Sequence, residues 1–134
     1  MDWIPPKLFP FKDQTACHEA QRVWTYGDFL ACIDELVNCI ETAELPPQAV
    51  VSLQTEHSIE GLAALIASAR TQLIAVPVPN EMAEYERILN KQIAGVEWSL
   101  TSKGGIFQLS KAGESVTDRP ELFNQLADRQ HAGL

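Results

Sequence analysis

Two short runs constrain this chain most. Val50-Val51-Ser52-Leu53 and Leu73-Ile74-Ala75-Val76-Pro77-Val78 are almost wholly apolar, without alternation. A strand with one wet face alternates. A continuously apolar strand is covered on both faces, as strands of parallel sheets are. The stretch between the runs, Ile59 to Ala69, is apolar nearly all round, which reads as a helix buried on most sides. Ser58 caps it, and Glu60 in its first turn suits the helix dipole. Strand, helix, strand in this order demands a right-handed crossover between parallel strands. Pro77 cannot donate to a ladder, so it belongs at a strand end.

The pattern extends both ways. Arg22-Val23-Trp24 reads as a short strand, and Thr25 with Asp28 three residues on is close to a capping box. Phe29, Ile33, Leu36, Val37 and Ile40 then share one helical face, until Pro46-Pro47 ends the helix. Downstream, Glu81 to about Gln92 reads as an amphipathic helix with Met82, Tyr85, Ile88 and Leu89 inward. Val96 to Leu100 is a strand, Lys103-Gly104-Gly105 a turn, and Ile106 to Leu109 a strand that pairs back as a hairpin. Lys111 to Asp118 is loop, and Pro120 opens a last helix with Leu122, Phe123 and Leu126 inward. The expected fold is α/β: an open, mostly parallel sheet with helices on both faces, its C-terminal part a hairpin plus a helix. The 134 residues make one domain, with no repeat or internal boundary. Residues 1–21, punctuated by Pro5, Pro6 and Pro10, read as an irregular arm that plugs Trp3, Leu8, Phe9 and Phe11 into the surface.

Charge and composition exclude several roles. A formal net charge of −8 leaves no basic face for nucleic acid or an anionic membrane. The longest strongly apolar stretch, Gly61 to Ala69, falls short of the roughly 20 residues that cross a bilayer. Met1-Asp2-Trp3-Ile4-Pro5-Pro6 lacks the basic start and apolar run of a signal peptide. Cys17, Cys32 and Cys39 are odd in number. Cys32 and Cys39 lie seven residues apart on one helix, about 10 Å, beyond the roughly 7 Å a disulfide spans. Reduced thiols and a cytoplasmic location are expected.

Chemistry-bearing motifs are missing. The glycines form neither GxGxxG nor a Walker loop, no GxSxG occurs, and His18-Glu19 lacks the second histidine of a zinc-protease pair. His57, just before a helix at a strand's carboxyl end, is a plausible ligand position but reads first as an exposed turn residue. His18 and His131 fall in irregular ends. Trp3, Trp24 and Trp98 read as packing, Lys103-Gly104-Gly105 as a hairpin turn, and Glu81, Glu84 and Glu86 as a solvated face. No catalytic, cofactor-binding or metal-binding residue is assigned.

The order of segments carries a resemblance. Trp24-Thr25-Tyr26-Gly27-Asp28-Phe29 resembles the first core motif of the adenylate-forming ligases, an aromatic or aliphatic residue followed by Thr-Tyr-x-Glu-Leu. Pro46-Pro47-Gln48-Ala49-Val50-Val51-Ser52-Leu53 is similar to their Pro-Gly-Asp-x-Val-Ala-Leu strand entry, and Glu56-His57-Ser58-Ile59-Glu60 to their Pro-Asn-Ser-x-Glu. Ala69 to Val78 resembles their second core motif, Lys-Ala-Gly-Ala-x-Tyr-Val-Pro-Leu. Asp118 to Leu134 resembles the helix before their phosphate-loop strand. Gln48 and Gln72 stand where the family has glycine, His57 where it has Asn, and Asp28 where it has Glu.

The resemblance covers residues 22–134 and implies the N-terminal subdomain of an acyl- or aryl-CoA-synthetase-like enzyme, ending before the phosphate loop. Such enzymes activate a carboxylate with ATP and Mg²⁺ to an acyl-adenylate and pass it to the thiol of CoA or a carrier protein, with fatty acid metabolism one setting. The family's catalytic motifs lie beyond Leu134, so this chain is expected to be inert, without its own cofactor. Its implied partner is the remainder of the enzyme. Apolar surface meant for that remainder, around Phe9, Phe11, Leu122 and Phe123, would drive self-association. The alternatives are a freestanding, non-enzymatic α/β interaction module and a flavodoxin-like small-ligand-binding domain.

Overall fold

The computed structural model describes residues 4–55, 58–79, 81–103 and 105–111. The long helix α2, Tyr26–Thr42, begins where its capping signal lies. The Thr25 hydroxyl accepts the Asp28 N–H at 3.0 Å, and the Asp28 carboxylate accepts the Thr25 N–H at 3.0 Å. This reciprocal pair satisfies donors that the first turn leaves open.

Strand β3, Val50–Gln54, leads through α3, Ile59–Arg70, into β4, Ile74–Pro77. Helix α4, Glu84–Ile93, follows, then β5, Trp98–Lys103, and β6, Ile106–Lys111. The sheet order is β4-β3-β5-β6. β3 is parallel to both β4 and β5, and β6 returns antiparallel to β5. The hairpin expected at Lys103-Gly104-Gly105 is therefore present, and Gly105 supplies the left-handed backbone it needs, at φ +78. The connection from β3 to β4 and the one from β4 back past β3 to β5 run in opposite directions across the sheet, so right-handed crossovers place α3 and α4 on opposite faces.

One face carries the main core. Val51, Leu53, Ala75 and Leu100 meet Phe29, Ile33 and Leu36 of α2 and Ala63 and Ala67 of α3. Alanines on α3 let that helix approach the sheet closely while α2 brings the bulk. The other face has a smaller cluster, Val50, Ile74 and Val96, against which Ala94 packs from the end of α4. On this second face, buried Ser52 and Ser99 share a 2.7 Å hydroxyl hydrogen bond, the partnership their burial requires.

The amino end differs from the irregular arm expected for residues 1–21. It holds a short helix, α1, Ile4–Leu8, a 3-10 turn over Phe9–Phe11, and strand β1, Thr15–Glu19. β1 pairs antiparallel with β2, Arg22–Thr25, as a separate two-stranded sheet, so the first strand does not enter the parallel order. The hairpin turns tightly at Ala20, φ 50, without the glycine or asparagine that announces such a turn. Ile4 and Leu8 do plug into the core, whereas Phe9 and Phe11 stay exposed.

The second departure is α4. It starts at Glu84, three residues later than expected, and its apolar stripe is not buried. Tyr85 is 70% exposed, Ile88 and Leu89 each 52%, and Ile93 64%. The helix touches the sheet mainly through its carboxyl end, so the amphipathic pattern marks a face that the described residues leave uncovered. The last helix expected from Pro120 lies outside the described residues.

Candidate functional site

The carboxyl ends of β3 and β4 open into a groove of about 720 Å³. Leu53 and Thr55 form its floor on one side, Pro77, Val78 and Pro79 on the other. The first turns of α3 contribute Ser58, Ile59, Gly61, Leu62 and Leu65, and α2 contributes Tyr26 and Phe29. The wall opposite is β1, from Ala16 to Glu19. Strand ends of an open α/β sheet are where such folds place ligands. This groove has the apolar walls and few polar groups of a small-molecule site.

The start of α3 is already satisfied. The Ile59 N–H donates to Glu19 Oε1 at 3.0 Å, and the Gly61 N–H donates to Ser58 Oγ at 3.2 Å. Glu19 thus caps a helix forty residues away and ties the β1–β2 hairpin to it. Glu60, in the same turn, accepts a 2.8 Å hydrogen bond from the Ser102 hydroxyl of β5. Amides that could hold a phosphate are taken, and two carboxylates stand beside them, which disfavours an anion there.

Of the residues singled out from sequence, the groove takes in His18, exposed on β1. His57, His131 and Trp3 lie outside the described residues. Trp24 is buried core; the Arg22 guanidinium stacks 3.5 Å from its ring centroid, and its Nε1 finds no hydrogen-bond partner. Trp98 is half-buried against the same core. Lys103 and Gly105 flank the hairpin turn, and Glu81, Glu84 and Glu86 are exposed. Among the described residues no group of three or more His, Cys, Asp or Glu is placed to hold a metal ion, and no described helix is long and apolar enough to cross a membrane.

Among the described residues, Asp28 and Cys32 are shifted. The Thr25 N–H, then its hydroxyl, hold the Asp28 carboxyl below the ordinary 3.8. Burial, reinforced by the Glu60 and Glu35 carboxylates, pushes the Cys32 thiol up to about 11. A thiol so protonated is a core hydrophobe, not a nucleophile. Sequence reasoning missed the groove's outer wall, Ala16 to Glu19, because the β1–β2 turn carries no glycine. Cys17 and Tyr26 gave no signal beyond their positions.

The architecture is that of the N-terminal subdomain of adenylate-forming ligases. Among solved structures, Klebsiella oxytoca NpsA in complex with 3-hydroxyanthranilyl-AMSN superposes with a TM-score of 0.66 at 18% identity, over 99% of this chain and 26% of that one. O-succinylbenzoate coenzyme A synthetase (MenE) from Bacillus subtilis gives 0.65 at 14% identity, over 75% of this chain and 22% of that one. The anthranilate CoA ligase AuaEII, solved with anthranoyl-AMP, gives 0.66 at 16% identity, over 75% and 19%. The chain thus spans only 19–26% of the length of these three, and at such identities the likeness is one of fold. No family profile and no curated protein matches the chain.

Proposed function

We propose that this chain is the amino-terminal part of an AMP-forming acid–thiol ligase. The parent enzyme would use ATP and Mg²⁺ to convert a carboxylate to its adenylate, then transfer the acyl group to CoA or a carrier-protein thiol. The observation that carries this reading is the superposition of 99% of the chain on an enzyme four times its length. The segment order from the capping box through the two strand entries supports it. Neighbours solved with 3-hydroxyanthranilyl and anthranoyl ligands favour an aryl carboxylate as the substrate class. Nothing among them supports a fatty-acid setting.

The described residues do not fit the nucleotide. The start of α3 is filled by Glu19 and Ser58, and no lysine lines the groove. Charge developing on a transferring phosphoryl group needs donors aimed at it. ATP would be held by the remainder of the enzyme, which is the partner this reading requires. Titration calorimetry of ATP with Mg²⁺ into this chain should give no binding heat; a stoichiometric site would overturn the claim. The remainder itself is tested by joining this segment to the coding sequence beyond Leu134 and assaying aryl-acid-dependent pyrophosphate exchange. The groove favours a second reading, a small-ligand-binding α/β domain; saturable binding of an aromatic acid by the 134-residue chain alone would support it.

A further inference from the structure

Charge decides what the groove at the carboxyl ends of β3 and β4 can take. Its body is apolar, with Leu53, Leu62 and Pro77 on its walls, and Tyr26 and Phe29 bring two aromatic rings. At about 720 Å³ it has the size that small molecules fill. Among the described residues that line it there is no Lys or Arg, and Glu19 is the carboxylate.

Glu19 faces inward. Side chains alternate along a strand, so on β1 Cys17 and Glu19 share one face and His18 falls on the other. Cys17 packs against the main core, and Glu19 is half-buried where His18 is exposed. The imidazole therefore does not balance the carboxylate. Arg22 stands opposite Glu19 in the hairpin register, but its guanidinium is turned onto the Trp24 ring and does not line the groove. The Ile59 N–H occupies Glu19 Oε1 at 3.0 Å. An ionised carboxylate has about four acceptor sites, so this cap leaves room for a further donor. The amino end of α3 carries about half a positive elementary charge, less than Glu19 and Glu60 bring beside it. An anionic ligand would face these carboxylates with no cationic wall to offset them. A cation gains from both Glu19 and the aromatic rings.

We propose that this groove binds a small organic amine, its ammonium on Glu19 and its flat apolar body against Leu53, Leu62 and Pro77. The proposal rests on the groove that the second reading also uses, and not on the ligase reading. Failure of pyrophosphate exchange leaves it standing.

The test uses the 134-residue chain at neutral pH and three probes of similar shape: phenethylamine, hydrocinnamate and phenethyl alcohol. Each is titrated while the amide shifts of the chain are followed by NMR. Phenethylamine should bind saturably and about tenfold tighter than hydrocinnamate. Glu19→Gln keeps an oxygen for the Ile59 N–H and removes the charge. It should weaken the amine about tenfold and leave the alcohol within about twofold. The alcohol separates loss of charge from loss of shape. A chain of net charge −8 could also hold amines weakly all over its surface. Such binding would not respond to Glu19→Gln, and that result overturns the proposal. Equal affinities for the three probes overturn it, as does the lack of saturable amine binding. Tighter binding of hydrocinnamate overturns it while supporting the second reading. Should Glu19→Gln lose its far-ultraviolet helix signal, Leu62→Lys, at a position 51% exposed on the groove wall, provides the same comparison. The amine should then weaken more than the alcohol, and equal losses overturn the proposal.

Discussion

Left-handed backbone costs a residue with a side chain about 1–2 kcal/mol. Gln48, φ 64, and Gln72, φ 60, both adopt it, and the Gln48 N–H donates to the Gln72 carbonyl at 2.8 Å. Both stand where the family motifs carry glycine, the residue that takes this backbone most readily. Gln72→Gly should stabilise the chain by about 0.5–1 kcal/mol, the relief of strain less the freedom glycine gains when unfolded. A higher urea midpoint with an unchanged slope is the expected result. Asp28 acts with the opposite sign of change. Its carboxyl is held below its ordinary value by Thr25, so the stability it lends is present above pH 3.8 and lost as the pH falls through the lowered folded value. Asp28→Asn should flatten that acid-side loss in urea melts taken as a pH series.

Among elements, those with tertiary support were legible and those without were not. α2, α3, β3 and β4 follow their periodicity because each buries the face its pattern marks. Leu36, fully buried between α2 and the sheet, should cost about 2–5 kcal/mol when changed to Ala, read from thermal or urea unfolding. The β1–β2 hairpin escaped notice for a physical reason: Ala20 makes the left-handed turn without a turn residue, and the prolines upstream mask a strand that pairs only locally. α4 was recognised as a helix but its stripe was read as inward. Periodicity reports which residues share a face, not whether anything covers it. With β1 missed, the groove was missed as well, since its outer wall is that strand.

At the scale of the molecule, a mostly parallel sheet with helices on both faces and a closing hairpin was largely readable from segment order. What the order could not convey is where apolar residues stay exposed. Phe9 is 63% and Phe11 48% exposed, beside the start of α2 rather than in a core. If the chain is one part of a ligase, this surface belongs to an interface within the enzyme, and the isolated chain should form a dimer or larger species by light scattering. A monomer at high concentration would count against that. The bond from Gln48 to Gln72 has a consequence for how such a chain can change in length. It joins the turn before β3 to the turn before β4, and so fixes Val50 beside Ile74. One residue inserted in either turn would shift the parallel register and exchange the faces of Val50 and Val51. Insertions are tolerable between Thr42 and Pro46, upstream of that bond, but not between Gln48 and Val50 or between Gln72 and Ile74.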